Sequence, residues 1–396
     1  MSYFAKRFCL VVFAFIAALL VAEGVARIFI DPVDYLWRRL SYDPVLRYKI
    51  EPHSAGHDSR GYRNRHVPER ADIVALGDSQ TYGESAPAKY SWPSILGSLT
   101  GKVAYNMGIG GYGPAEYFYL FGNGALELKP GVVVAGFYLG NDLADTYTAV
   151  YTVERWRHLR KPGAGPGPGP GGNDETKAGD KPQVEETPPV KKPFAYELKR
   201  RVYGAAGWFA ENSVLYRVIT ASYLGDGMRQ KMMLDRGEKI TMLEVREYGI
   251  HTGFTPVRRL EALDMDRPDV REGLRLALDF FNEMNLLAEK NGVRFLVVIL
   301  PTKESVYGRF IEGNTGLRYS AEIDRLLRNE RRVSEEAESY FEGHGIPYIN
   351  LLGPLGEAAL HEEIYPNNYS GHFNGNGNRV IAESIKRRLD EMQGGR

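Results

Sequence analysis

The stretch Ala71 to Gly83, ADIVALGDSQTYG, holds a serine placed for covalent chemistry. The apolar run Ile73-Val74-Ala75-Leu76 ends in Gly77-Asp78-Ser79, and a polar turn follows. This reads as a buried strand that delivers Ser79 to a sharp turn at the head of a helix. Free amides and positive potential at a helix start suit a nucleophile whose attack creates an oxyanion. Serine is also a preferred helix cap, and on this stretch alone that reading stays open. A second candidate is Gly108-Ile109-Gly110-Gly111-Tyr112-Gly113, between an apolar run at Val103–Asn106 and Pro114. It matches the dinucleotide fingerprint, but the acid expected about 20 positions on falls near Gly131, a glycine. Close backbone approach is the other use of such glycines. A third is Asn141, in Leu139-Gly140-Asn141-Asp142. Its side-chain amide suits an oxyanion, or an ordinary turn. His53, His57 and Asp58 suggest a metal site, but Pro52 and Gly56 break the helix that would align the histidines. Neither metal nor cofactor is expected.

These residues need rigid elements behind them. Ile73–Leu76, Val103–Asn106, Gly131–Tyr138, Val293–Leu300 and Pro347–Leu352 are short apolar runs that read as strands. Helical periodicity fills 270–291, 320–341 and 378–392 between and after them. Strands alternating with helices imply an α/β fold with a parallel, doubly wound sheet. Asn141 follows the third run, at the carboxyl end where such sheets place ligands. Lys303, just after the fourth run, reads as a contact to an anionic substrate group or as a solvated loop lysine.

Gly-Asp-Ser after a first strand resembles block one of the SGNH/GDSL hydrolase family. The family's Ser, Gly, Asn and His positions match Ser79, Gly111, Asn141 and His372, the last in Gly371-His372-Phe373-Asn374. The resemblance covers about 71–150 and 290–392. It implies a three-layer αβα sandwich with a five-stranded parallel, flavodoxin-like sheet. It also implies Ser79 as nucleophile, His372 as base, and an oxyanion hole from the Ser79 amide, Gly111 and Asn141. The family's aspartate two or three residues before the histidine is replaced by Ser370 and Tyr369. Glu362, Glu363 or a backbone carbonyl is expected to orient His372 instead. The implied activity is ester hydrolysis on an acylated carbohydrate or other small ester. The alternatives are an O-acyltransferase acting on a cell-envelope polysaccharide and a non-catalytic carbohydrate-binding member of the fold.

The chain has 396 residues, 50 basic and 50 acidic, so charge does not favour a nucleic-acid partner. Cys9 is its only cysteine, which excludes an intramolecular disulfide. Phe8 to Ala22 is an uninterrupted apolar run of 15 residues after Lys6 and Arg7, and it resumes to Ile30 beyond Glu23 and Arg27. It reads as an uncleaved membrane anchor with the N-terminus cytoplasmic and the rest periplasmic or extracytoplasmic. A cleaved signal peptide is the rival. Glu23 and Arg27 can pair across one helical turn. The expected organisation is a tip and anchor at 1–30, a stalk at 31–70, and a catalytic domain from 71–150 with 269–396. Residues 151–268 form an insertion. Its Pro/Gly-rich part, 161–193, reads as a flexible linker, and its remainder as a cap whose Trp208 and Phe209 are core residues or sugar-stacking ones.

Overall fold

A computed structural model describes residues 3–162, 204–221 and 239–394. The expected linker at 161–193 lies outside these residues apart from its first two positions. The chain opens with helix α1 (Tyr3–Phe29), 27 residues long and apolar enough to cross a membrane, as a span or as a signal sequence. A hairpin, β1 (Leu40–Asp43) and β2 (Arg47–Ile50), follows. Next come β3 (Ile73–Leu76), α2 (Ser79–Tyr82), α3 (Trp92–Thr100), β4 (Ala104–Asn106), α4 (Pro114–Leu120), β5 (Val132–Tyr138) and α5 (Asp142–Thr152). A helical stretch over 204–212 leads into α6 (Val214–Ala221). A second hairpin, β6 (Thr241–Val245) and β7 (Ile250–Phe254), precedes α7 (Pro256–Leu263). The chain closes with α8 (Pro268–Lys290), β8 (Arg294–Leu300), α9 (Ser320–Gly343), β9 (Tyr348–Asn350) and α10 (Gly375–Gly394).

Five strands form one parallel sheet in the order β4-β3-β5-β8-β9. Numbered by appearance within the sheet, that is 2-1-3-4-5, the flavodoxin-like order. The central strands are apolar along their whole length because both faces are covered. Val74, Leu76, Val133, Ala135 and Phe137 pack on one side with Leu274, Phe281 and Met284 of α8 and Phe341 of α9. Ile73, Ala75, Val132 and Val134 pack on the other with Trp92 and Leu96 of α3 and Ile381 and Ile385 of α10. The alternation of neighbours between two cores is the period-two signature of a strand in a three-layer sandwich.

Residues 31–70 are not a stalk. Leu46, Ile50 and Tyr62 are buried in the same core as β3 and β5. Tyr48 and Arg47 of β2 hold the glycine-rich loop after β4 through the Gly110 and Gly111 carbonyls, and Arg63 forms an ion pair with Asp34 at 2.8 Å. The segment lacks periodicity because long-range side-chain contacts, rather than a regular element, fix it.

Candidate active site

The turn from β3 into α2 sets the site. Asp78 caps α2, its carboxylate accepting from the Gln80 amide at 2.8 Å, so Ser79 becomes the first helical residue. Burial of Asp78 raises its pKa, against the pull of that amide and of His372. Gly108 lies against the next turn, where a Cβ would sit 2.5 Å from the Tyr82 amide nitrogen. Only glycine permits the loop after β4 to pass so close.

The structure brings Ser79 and His372 together. Ser79 Oγ lies 2.8 Å from His372 Nε2, across 293 residues of chain. Ser79 Oγ also lies 3.3 Å from Asp78 Oδ2. The His372 Nδ1 atom meets Ser370 Oγ at 3.2 Å, and Ser370 Oγ meets Ser85 Oγ at 3.1 Å. The expected orienting groups are elsewhere: Glu362 pairs with Arg379, and Glu363 accepts from Asn367 at 2.9 Å. A hydroxyl therefore stands at the position where the resembling family has its aspartate. Burial lowers the His372 pKa below the ordinary imidazole value. Glu84 and Asp78 pull it up, and Arg259 and Arg38 push it further down.

Two further side chains hold the histidine loop, and the sequence reading assigned neither this task. Gln80 Nε2 donates to the Gly371 carbonyl at 2.9 Å, and its Oε1 accepts from the Phe373 amide at 3.4 Å. One amide thus clamps the backbone on both sides of His372. Lys303 is only 1% exposed, neither a solvated lysine nor one open to substrate. Its ammonium donates to the carbonyls of Asn368 at 2.8 Å and Ser370 at 3.0 Å, with Pro366 at 3.5 Å. Arg259 of α7 donates to the Gly140 carbonyl at 2.7 Å and lies over the Tyr138 ring. The Gly253 amide of β7 donates to the Asn368 carbonyl at 3.1 Å. The insertion thus touches the loops that carry Asn141 and His372.

Burial pushes the Lys303 pKa down from 10.5 to about 7, with only Glu304 opposing. Between those values the unfolded chain binds a proton that the folded chain does not, so stability rises with pH across that window. Below about 7 both states are protonated and the burial cost stands in full. Lys303→Met removes this titration. The unfolding free energy of the wild type minus that of the variant should climb from pH 7 to pH 10.5 in urea titrations. A flat difference would rule out the buried ammonium.

The oxyanion candidates converge less completely. Neither the Ser79 nor the Gly111 amide makes a hydrogen bond among the described residues. The Gly110 carbonyl accepts from Tyr48 Oη at 2.6 Å. A trans peptide holds C=O and N–H on opposite sides, so the Gly111 N–H points away from Tyr48. Gly111 has φ +79°, and a Cβ there would meet Tyr48 Oη at 2.4 Å. Arg47, which holds the Gly111 carbonyl, is itself paired with the buried Glu116 at 2.7 Å. Asn141 caps α5, and its Nδ2 donates to Asp145 Oδ2 at 2.6 Å while its Oδ1 is buried without a partner. The Asp78 carboxylate also takes a hydrogen bond from this side chain, so Nδ2 is shared between two acids and must release one of them to serve a ligand. Burial pushes the Asp145 carboxyl up to about 7.

His57, weighed as a metal ligand, has both ring nitrogens engaged, by the Ser54 carbonyl at 2.6 Å and Tyr82 Oη at 2.9 Å. In the fingerprint-like stretch Gly108 packs against Thr81 and Tyr82, Gly110 against Ser79, and Gly113 against Thr146 and Asp142 of α5.

No family model matches the chain, and no curated protein matches it. Solved structures that match the chain include a G-D-S-L family protein of Desulfitobacterium hafniense described as lipolytic. It is 13% identical, with a TM-score of 0.38, over 80% of this chain and 98% of that one. A GDSL-like lipase from Bacteroides thetaiotaomicron is 12% identical, with a TM-score of 0.35, over 82% and 89%. A catalytic mutant of an acetylxylan esterase from Geobacillus stearothermophilus is 9% identical, with a TM-score of 0.36, over 82% and 95%. Likeness at this level says nothing about substrate, and the functional reading rests on the chain's own geometry.

Proposed function

We propose that the protein is a serine ester hydrolase that works through an acyl-enzyme, with Ser79 as nucleophile and His372 as base. The observation that carries this reading is the 2.8 Å contact between Ser79 Oγ and His372 Nε2. A serine hydroxyl becomes a useful nucleophile only when a base takes its proton as it attacks. The His372 tautomer that does so carries its proton on Nδ1 and donates it to Ser370 Oγ, which donates onward to Ser85 Oγ. Ser79 Oγ then adds to the ester carbonyl, and its proton passes to His372 Nε2. The amides of Ser79 and Gly111, with Asn141 Nδ2, receive the oxyanion. Collapse expels the alcohol, which takes the proton from Nε2. Water then attacks the acyl-serine by the same route and releases the acid.

The depressed His372 pKa supports the reading, because the imidazole is then free base at neutral pH. The Ser370 hydroxyl bears no charge, so it orients the ring without stabilising an imidazolium as a carboxylate does. The substrate class is an acylated carbohydrate or other small ester. Lys6 and Arg7 in the first turns of α1, ahead of its apolar run, support a single-pass anchor with a cytoplasmic N-terminus and an extracytoplasmic site.

The test is mass spectrometry after treatment with a fluorophosphonate probe, which phosphonylates activated serines. The expected result is one adduct, on the peptide that carries Ser79. An unlabelled Ser79 in folded protein, or an adduct on another serine, overturns the assignment.

A further inference from the structure

The end of α1 is tied to residues 204–221 by polar bonds that ester hydrolysis does not require. Between Arg7 and Glu23 lie 15 apolar residues. At 1.5 Å per residue they cover about 22 Å, whereas the hydrocarbon of a bilayer is about 30 Å thick. With Lys6 and Arg7 at one headgroup layer, the hydrocarbon extends about 20 residues further, to the turn that holds Arg27. Glu23 then lies about one turn inside the apolar layer, where an unpaired carboxylate is costly.

The structure surrounds that carboxylate with donors. Glu23 accepts from Arg27 Nε at 2.7 Å, Ser213 Oγ at 2.8 Å, the Val214 amide at 3.0 Å and the Leu215 amide at 2.9 Å. Arg27 Nη2 donates to the Asn212 carbonyl at 2.6 Å. Glu23 therefore caps the start of α6, and Arg27 holds the end of the helical stretch before it. These bonds fix 212–215 at the depth of Glu23 and Arg27.

The same short elements expose large apolar side chains. Trp208, Phe209 and Ile219 are 59%, 45% and 61% exposed. Trp208 is one turn from the Arg27 contact, because Asn212 Nδ2 donates to its carbonyl at 2.9 Å. Val25, Ile28 and Phe29 at the end of α1 are exposed as well. Trp37, also exposed, joins this collar: its backbone N–H donates to the Ala210 carbonyl at 2.9 Å and its ring lies under the Arg217 guanidinium. Aromatic side chains beside cations at the rim of a span match the chemistry of the headgroup layer.

We propose that residues 204–221 form a second membrane element, lying in the outer headgroup layer beside α1, with Trp208, Phe209 and Ile219 against phospholipid. This rests on the reading of α1 as a span. Its occupant is the lipid interface itself, because the apolar collar is continuous with the span and held at its depth. The element sets the height of the catalytic domain above the bilayer.

The test uses the full chain in phosphatidylcholine vesicles, with and without bromine on the upper part of the acyl chains, and reads tryptophan quenching. Flotation with the vesicles tests the span separately. Brominated lipid should quench the wild type, and Trp208→Phe should lose the largest part of that quenching. Trp37→Phe serves as the neighbouring reference. A floating chain whose quenching is unchanged in Trp208→Phe overturns the proposal and leaves the span standing. A chain that does not float overturns both. Shielding of Trp208 that follows protein concentration rather than lipid assigns the face to a second copy and also overturns it.

Discussion

Ser79→Ala should abolish turnover of a simple aryl ester such as nitrophenyl acetate, with a fall in kcat on the order of 10⁴–10⁶. The change removes one oxygen from a buried side chain and leaves the cap at Asp78 in place, so melting temperature should hardly move. His372→Ala should cost nearly as much. Because Nε2 and Oγ form one hydrogen-bonded unit, the double variant should be no worse than either single one. Activity in the wild type should be present at neutral pH and lost as pH falls through the His372 pKa, below the ordinary value of 6.5. A folded Ser79→Ala protein with an undiminished rate would remove the nucleophile and every step built on it.

Asn141→Ala should lower kcat by roughly 10²–10³, or about 3–4 kcal/mol, and leave KM close to the wild-type value. The reasoning is differential. An oxyanion exists only after Ser79 has added to the carbonyl, so a donor aimed at it works in the transition state and not in the Michaelis complex. The Nδ2 atom is already placed by the carboxylates of Asp145 and Asp78, so aiming it at the oxyanion means exchanging one of these partners. Steady-state kinetics separates the outcomes: a loss confined to KM would make Asn141 a substrate-binding residue and leave the hole to the two backbone amides.

The strands were legible because their chemistry is local. VVVAGFY and RFLVVIL are continuous apolar runs, and burial on both faces requires nothing else. The edge strand β9 is shorter than the run that suggested it, Tyr348–Asn350 against 347–352, and only partly buried. What was illegible depends on partners far along the chain. Arg47 and Tyr48 fall in a stretch that reads as a stalk, and Asp58 beside two histidines suggests a metal site, until Glu116, Gly110 and Tyr105 are brought to them. At the candidate site, the four family-like positions stand out by type. The groups that aim them do not. A lysine is ordinarily exposed, and nothing near Lys303 announces three carbonyls from another loop. Gln80 looks like any polar residue in a first helical turn, and its clamp on Gly371 and Phe373 appears only once α10 has docked. Ser370 occupied the right place, but a seryl hydroxyl carries no mark that separates an orienting partner from a loop residue.

The histidine reaches Ser79 only from the last strand-to-helix connection of the fold. Asn378, at the start of α10, accepts from the Trp92 amide at 2.9 Å and donates to the Phe373 and Asn374 carbonyls. It locks that connection onto α3. Ser79 precedes His372 by 293 residues, and β3, β4, β5 and β8 all precede the histidine, so four strands are made before the proposed base. On the proposed roles, the docking of α10 is the step that arms Ser79. On the same roles, a product truncated before residue 372 would carry Ser79 with no base beside it, and reactivity would begin only after the His372 loop has docked.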